Sequence, residues 1–143
     1  LSAYVSNSQE QKVPVNEPDY NKPRLFTNLP DKIPVSISNI DNIVAAPLGR
    51  SSSFRLSEDN SVEFAGEVVS TASKYNNTVQ SVVIRSDAFN GARLTISKIT
   101  NADGSIRYTG RIISFKHGDL YELENREGQL VLVRKNYHEL VNE

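Results

Sequence analysis

Over most of the chain, hydrophobic and polar residues alternate with a period of two, which is the pattern of β-strands with one buried face. The alternation begins after Gly49 and predicts about seven strands, at residues 52–56, 62–70, 79–85, 93–100, 105–115, 120–124 and 129–135. A shorter extended run, residues 33–37, comes before them. Short polar reversals separate most of the strands, so the pattern predicts an all-β, mainly antiparallel meander. Such a meander has to form a small barrel or a two-sheet sandwich in order to hide its edges and bury one face.

Two of the reversals have the composition of tight hairpin loops. Residues 101–104 (Asn-Ala-Asp-Gly) and residues 125–128 (Asn-Arg-Glu-Gly) both begin with asparagine and end with glycine. Asparagine favours the first position of a type I turn, and glycine accepts the left-handed conformation that follows it. Each tetrad therefore predicts a type I turn that ends on a left-handed glycine.

The strand predicted at residues 105–115 has two different faces. Ile106, Tyr108 and Ile112 share one face with Gly110. Glycine is unfavourable inside a strand and often marks a bulge or a bend. Gly110 therefore predicts a bulge or a bend at which the sheet turns a corner.

Helical signals occur on either side of the β-rich region. Ser38, with Asp41 three residues later in the position of a capping-box acid, predicts a short helix over about 39–46. A similar cap at Asn136 predicts a second short helix over about 137–142. The predicted β-domain thus carries one short helix near each end.

Residues 1–30 differ in composition from the rest of the chain. They are polar and are interrupted by four prolines, Pro14, Pro18, Pro23 and Pro30. This composition predicts an extended arm or linker over residues 1–30 and a single β-domain over residues 31–143. The arm either stays unattached or lies along a groove of the domain through its apolar residues, which are Val13, Val15, Tyr20, Leu25 and Phe26.

The composition excludes several classes of protein. The chain of 143 residues has no cysteine, which excludes a disulfide framework, a thiolate metal site and a cysteine nucleophile. Its 16 basic and 17 acidic residues nearly cancel, so the positive field of a nucleic-acid-binding protein is missing. No stretch approaches the roughly 18 consecutive apolar residues of a membrane-spanning helix. We therefore expect no nucleic-acid partner and no membrane insertion.

No motif points to catalysis or to a bound cofactor. The chain lacks the Gly-x-Ser-x-Gly pattern of a serine nucleophile, and it lacks a glycine-rich phosphate loop. Its two histidines, His117 and His138, do not have the spacing of metal ligands. Asp119 is expected to cap the turn that contains His117. The sequence thus predicts a protein without enzymatic activity, cofactor or metal site.

Arginines on neighbouring predicted strands are the strongest candidates for a binding site. Arg107 and Arg111 have the same parity in their strand, so both are expected on one solvent-exposed face. A basic stripe of this kind binds a carboxylate-bearing ligand or an acidic partner surface, unless acids on neighbouring strands balance it. Tyr108 and Tyr121 are expected either as inward anchors or as aromatics at the rim of the site. The complete set of candidate partner-binding residues is Arg85, Arg93, Arg107, Arg111, Tyr108 and Tyr121.

Several features indicate an extracytoplasmic protein. Residues 76–78 (Asn-Asn-Thr) form a sequon, so Asn76 is a candidate glycosylation site in a host that glycosylates. The absence of a free thiol suits the same environment. The chain begins at Leu1 without the basic start and apolar run of a signal peptide, which predicts a processed chain. We therefore expect a secreted or periplasmic protein.

Together these features predict a non-catalytic extracytoplasmic β-module that binds a protein partner or a surface. One alternative is a pro-region or proteinaceous inhibitor of a secreted hydrolase, with residues 29–49 as the segment that reaches into the enzyme. Another is a carrier of a small ligand, which requires a hollow barrel.

Overall fold

The computed structural model describes residues 22–56 and 62–136, which form eight strands of one antiparallel sheet. The strands are β1 (Lys32–Val35), β2 (Ser51–Arg55), β3 (Glu63–Lys74), β4 (Val79–Ser86), β5 (Ala92–Thr100), β6 (Ile106–Ile113), β7 (Asp119–Arg126) and β8 (Gln129–Asn136). Strands β2 to β8 follow one another as a meander, and β1 lies beside β8 at the far edge. The sheet curls into a half-barrel, and the described residues contain one α-helix, α1 (Ile37–Val44). The prediction of an all-β antiparallel meander is confirmed.

Strand β1 was not among the seven strands predicted from the sequence pattern. It has four residues, of which Ile33 and Val35 are buried and Ile33 lies opposite Leu132 of β8. Pro34 stands between them and lacks the N–H that a central strand needs, but an edge strand tolerates it. The short extended run before the first helix is therefore an edge strand, and the sheet has eight strands instead of seven.

Helix α1 begins two residues earlier than the sequence predicts. The predicted cap was Ser38, but the N-cap is Ser36, whose hydroxyl accepts a hydrogen bond from the backbone N–H of Asn39 at 3.1 Å. This placement buries Ile40 and Ile43 against the concave side of the sheet. The second predicted helix, at about 137–142, lies outside the described residues.

An aromatic cluster packs between the sheet and the residues that precede β1. The ring of Phe26 lies 4.9 Å from that of Tyr121 and 6.0 Å from that of Phe89, and Phe89 stacks on Phe64 at 5.5 Å. Phe26, Phe64 and Tyr121 have no exposed surface. Aromatic rings at these separations contribute attraction beyond their buried area. The cluster therefore joins the residues before β1 to the meander.

The described part of the predicted arm, residues 22–30, is packed on the domain. Phe26 is buried in the core, and the Asp119 carboxylate accepts hydrogen bonds from the backbone N–H groups of Leu25 and Phe26 at 2.6 and 2.9 Å. Asp119 was expected to cap the turn of His117, but both of its oxygens accept from this earlier segment instead. We call residues 22–31 the strap.

Further hydrogen bonds hold the strap along β7 and β8. The Tyr121 hydroxyl donates to the carbonyl of Pro30, and the Arg134 guanidinium donates to the carbonyl of Phe26 and pairs with Asp31. Burial raises the pKa of Tyr121 to about 12, so this hydroxyl stays protonated and remains a donor at neutral pH. The strap is thus fixed along its length by side chains of β7 and β8.

The two hairpin loops with Asn-x-x-Gly sequences differ in structure. At Gly104 the φ angle is 87° and the N–H donates to the Asn101 carbonyl at 3.0 Å, as predicted for a type I turn that ends on a left-handed glycine. In the other tetrad, pairing of β7 with β8 continues to Arg126 and Gln129, so the loop has two residues, 127–128, and both have positive φ. This is the signature of a type I′ turn, whose twist matches that of the flanking strands. The prediction for the second loop is therefore wrong in turn type.

Candidate functional site

The four candidate arginines all lie on the outer face of the sheet, opposite the core. Arg85 is on β4, Arg93 on β5, and Arg107 and Arg111 on β6, each alternating with buried or inward-facing residues. In the register of the sheet, Arg85 stands directly opposite Arg93, with Glu67 on the other side of Arg85. We call these four residues the arginine face. The structure thus brings all four onto one continuous surface.

The charges of the arginine face are only partly balanced. Arg111 donates to Glu122 at 2.6 Å, and Arg85 lies 3.7 Å from Asp87. Within the described residues, Arg93 and Arg107 form no ion pair. Like charges directly opposite each other on neighbouring strands are destabilising. Glu122 and Asp87 therefore balance Arg111 and Arg85, whereas Arg93 and Arg107, which lie opposite Ile113 and Ile99, leave unbalanced positive charge at two separate places on the face.

A ladder of ion pairs continues from Arg111 across β7 and β8. Lys135 donates to Glu122 and to Glu124 at 2.7 Å each, and Arg126 donates to Glu124 at 2.8 Å. The hydrogen bonds from Lys135 and then from Arg111 lower the pKa of Glu122, and those from Lys135 and Arg126 lower the pKa of Glu124. Sequence reasoning missed this ladder, although the alternation of acids along β7 was its signal.

Replacing Glu122 with glutamine is expected to reduce the free energy of unfolding at pH 7 by about 1 kcal/mol, the upper part of the range for exposed ion pairs. Because folding lowers the pKa of Glu122, its contribution is present above the unfolded pKa of about 4.3 and is lost as the pH falls below that value. Urea denaturation at pH 7 and at pH 3 measures the effect. The control is Glu127→Gln, at an exposed turn position that forms no ion pair among the described residues. Equal losses for both variants, or an E122Q loss that persists at pH 3, would contradict the assignment.

The regular ladder between strands β6 and β7 is short. Their pairing is limited to Arg111 with Glu122 and the adjacent pair, although β6 stays paired with β5 and β7 with β8 along their whole lengths. Residues 106–110 of β6 and 123–126 of β7 therefore flank a narrow opening in the sheet, with Gly110 and Leu123 close together at its closed end. We call this opening the fork. Within the described residues, these two stretches have no strand partner on the side that faces the fork.

Gly110 lies where the fork begins. The register between β5 and β6 is unshifted through this residue, so of the two predicted features, a bulge or a bend, the bulge is wrong and the bend stays a prediction. The register shift in the described sheet is between Val68 and Ser70. A Cβ atom at position 110 would lie 3.4 Å from the Cβ of Leu123 and 3.1 Å from the carbonyl oxygen of Thr95. The glycine thus leaves room for Leu123 at the point where the strands part.

An open groove of about 470 Å³ lies on the outer face at the fork. Thr95, Thr109 and Ile113 line it together with the paired Arg111 and Glu122. On the opposite face of β6, Ile106 is 47% exposed at the open end of the fork. The region therefore offers polar side chains outside, an apolar side chain inside and unpaired backbone between them.

The two candidate tyrosines lie on the inner side of the sheet, away from the arginine face. The hydroxyl of Tyr108 donates to Asp41 of α1 at 2.8 Å, and Lys98 lies 3.1 Å from the same oxygen. Burial, with the hydrogen bond to Asp41, raises the pKa of Tyr108 to about 12. Burial opposes ionisation of Asp41, but the hydrogen bonds from Tyr108 and Lys98 outweigh it and lower the pKa of that carboxyl. Tyr108 anchors β6 to α1, and Tyr121 anchors the strap.

The remaining positions that the sequence analysis named are His117 and Asn76. Ser114 and His117 share a hydrogen bond of 2.8 Å, but both are buried and the serine oxygen also accepts from Lys116 of the same turn. Asn76 is exposed at the tip of the β3–β4 hairpin with φ 57°. In the part of the chain that the structure describes, no group of histidine and acidic residues could hold a metal ion.

Comparison with known proteins assigns no family or function to the chain. Neither protein-family models, nor curated proteins, nor solved structures gave a match to the chain. Among the described helical residues there is no segment with the length and apolarity needed to span a membrane. The function is therefore inferred from the arginine face and the fork alone.

Proposed function

We propose that this protein is a non-catalytic, extracytoplasmic binding module whose arginine face receives an acidic segment of a protein partner. The observation that supports the proposal most strongly is the placement of Arg85 directly opposite Arg93, together with the absence of an ion pair at Arg93 and Arg107 among the described residues. The Arg85–Arg93 pair costs stability in the free protein because like charges directly opposite each other repel. A carboxylate bound between the arginines removes that repulsion.

The chemistry of the arginine side chain favours carboxylates as ligands. The guanidinium group is planar, remains charged at all relevant pH values and presents paired donors that fit a carboxylate in bidentate geometry. The neighbouring groove at Thr95 and Thr109 adds hydroxyl groups for further hydrogen bonds. We therefore expect the partner to present several acidic side chains at the spacing of alternate residues in a strand.

The packing of the concave side supports the two alternative functions, a small-ligand carrier and an inhibitor or pro-region of a hydrolase, less well than it supports a binding module. Helix α1 and the aromatic cluster around Phe26 occupy the space in which a carrier would hold its ligand. Residues 29–49, the segment that an inhibitor would insert into an enzyme, include β1 and α1, whose Ile33 and Ile40 are buried. A binding role for the outer face requires no change in either of these elements.

Charge reversal on the arginine face tests the proposal. The probe is a fluorescein-labelled peptide of twelve residues that alternate valine and glutamate, and binding is followed by fluorescence anisotropy at low salt. The Arg93→Glu/Arg107→Glu variant is expected to weaken binding about tenfold or more, because two favourable charge contacts become repulsive. The salt dependence of binding should decrease in parallel.

A matched variant separates a local effect from a change in net charge. Arg24→Glu/Lys32→Glu alters the net charge by the same amount at exposed positions on the strap and on β1, which lies beside β8 at the other edge of the sheet. It is expected to change the dissociation constant by less than about threefold. Equal weakening by both double variants, or no binding of the peptide to the unmodified protein, would overturn the proposal.

A further inference from the structure

We infer that the outer face of β7 and β8 is a docking surface for the C-terminal segment of the same chain, residues 137–143. Three apolar side chains on this face, those of Leu120, Val131 and Val133, are buried. Val133 lies opposite Glu122 of the ion-pair ladder, and the other two are two residues away from this pair in their strands, so all three point outward. They are not part of the core on the inner face. We call these three residues the outer patch.

The burial of the outer patch requires a cover beyond the sheet itself. Val83 of β4 and Ile99 of β5 also point to the outer face and have a paired strand on each side, but both are only half-buried. Leu120, in contrast, has no exposed surface. Neighbouring strands alone therefore leave an apolar residue of this face partly exposed, and the outer patch has a further cover.

The described residues that pack on the sheet lie on its other side. Helix α1 and the strap contribute Ile40 and Phe26 to the core on the inner face. The structure consists of a single chain, so the cover of the outer patch has to come from that chain. It is therefore a segment outside residues 22–56 and 62–136.

The C-terminal segment begins beside the outer patch. Strand β8 ends at Asn136, which lies opposite Asp119, the residue before Leu120. The next seven residues of the chain span about 10 Å as a helix and about 23 Å when extended. Val133 is three residues before Asn136, which is about 10 Å along the strand. The segment can thus reach the outer patch without any change in β8.

The side chains of the C-terminal segment suit an apolar surface. Tyr137, Leu140 and Val141 have the spacing of residues on one face of a helix, which is the pattern that predicts the second short helix. At the same spacing Glu139 and Glu143 fall on the opposite side. A helix with this pattern buries its apolar side against the sheet and leaves its acidic side in water.

The two other segments outside the described ranges fit the outer patch less well. Residues 57–61 are polar and connect β2 with β3, at the opposite edge of the sheet from β8. Residues 1–21 contain Pro14 and Pro18 in the part nearest the strap, and neither proline can continue a helix. The C-terminal segment is therefore the occupant that the position and the chemistry of the patch favour.

Cross-linking of introduced cysteines tests the docking in the full chain. Because the chain has no cysteine of its own, the two introduced thiols of each variant are its only ones. With a short bismaleimide, Val133→Cys/Leu140→Cys is expected to give at least about tenfold more intramolecular product than Val83→Cys/Leu140→Cys, because docking raises the effective concentration of one thiol near the other. Mass spectrometry of tryptic peptides measures both products. The control position, Val83, lies on the same outer face but on β4.

A third variant tests residues 1–21 as the occupant. Val15→Cys/Val133→Cys is expected to give no more product than the control with Val83. Preferential cross-linking of this variant would overturn the inference in favour of residues 1–21. Equal cross-linking of Leu140→Cys to both strand positions, or no product with either, would also overturn it.

A double-mutant cycle tests the same contact by stability. Val133→Ala and Leu140→Ala are each expected to raise the equilibrium constant of unfolding about tenfold, and the double variant should fall short of the product of the two effects by about threefold or more. Glu139→Ala, on the other side of the predicted helix, should combine with Val133→Ala without coupling. Urea denaturation measures the four-variant cycle, and independent effects of Val133→Ala and Leu140→Ala would contradict the docking. Neither experiment uses the acidic peptide, so this inference and the proposed function fail independently.

Discussion

Replacing Asp119 with alanine is expected to reduce the free energy of unfolding by about 3–5 kcal/mol, a large part of the stability of a small domain. The side chain is buried and accepts hydrogen bonds from the backbone N–H groups of Leu25 and Phe26. Hydrogen bonds to a charged acceptor each contribute about 1.5–3 kcal/mol. Removal of the carboxylate leaves two donors at the strap without their partner.

The loss of stability in Asp119→Ala is expected to include contacts of the aromatic cluster in addition to the two hydrogen bonds. Phe26 carries one of the two N–H groups, and its ring packs on Tyr121 inside the core. If the strap moves away from β7 to hydrate its N–H groups, the ring has to leave the cluster or strain the backbone. Asp119 therefore stabilises the strap and the core together.

Urea denaturation and limited proteolysis measure the two parts of this prediction. The Asp119→Ala variant should unfold at a lower urea concentration, and trypsin should cleave after Arg24 more rapidly because the strap opens more often. The conservative variant Asp119→Asn keeps one oxygen acceptor and should lose less stability. Asp103→Ala is the control, since that exposed carboxylate accepts hydrogen bonds from Ser105 in its own turn. Resistance of Asp119→Ala to both treatments would show that the strap is held without this carboxylate.

The features that could be predicted from the sequence depend on neighbours in the chain. Alternation in β6 placed Arg107 and Arg111 on one face because side chains of a strand have a period of two. The Asn-x-x-Gly loop that ends at Gly104 was predictable for the same reason, since its hydrogen bond and its left-handed glycine lie within four residues. Local periodicity and local turn chemistry were sufficient for both.

The features that escaped prediction depend on contacts between distant parts of the chain. The strap is held by Asp119, more than ninety residues after Leu25, and no local pattern pairs the two. The opposition of Arg85 and Arg93 requires the register of β4 against β5, and the fork requires knowledge of where β6 and β7 diverge. The arginines of the site were thus foreseeable one by one, but their juxtaposition and the open backbone beside them were not.

The helix boundary shows how two local signals compete. Both Ser36 and Ser38 have a hydroxyl that can cap a helix, and the acid at position 41 favours Ser38 in a sequence-based view. In the structure the Asp41 carboxylate accepts from Tyr108 of β6 instead of from the helix backbone. A tertiary hydrogen bond therefore removes the acid from the capping box, and Ser36 becomes the cap.

Replacing Gly66 with alanine is expected to reduce the free energy of unfolding by about 3 kcal/mol or more and to prevent folding at elevated temperature. A Cβ atom at this position would lie 2.1 Å from the carbonyl oxygen and 2.7 Å from the carbonyl carbon of Arg85. Both are backbone atoms of β4, so no side-chain rotation relieves the overlap. The strand cannot shift freely either, because Arg85 is paired on its two sides with Glu67 and Arg93.

Gly110→Ala provides a graded comparison inside the same sheet. Its added methyl group would approach the Thr95 carbonyl oxygen to 3.1 Å and the Leu123 Cβ to 3.4 Å, distances that small shifts relieve. Its cost is therefore expected to be about 1 kcal/mol or less, well below that of Gly66→Ala. Thermal denaturation followed by circular dichroism compares the two variants. Equal melting temperatures would contradict the close approach of β3 to β4 at Gly66, and with it the register that places Glu67 opposite Arg85.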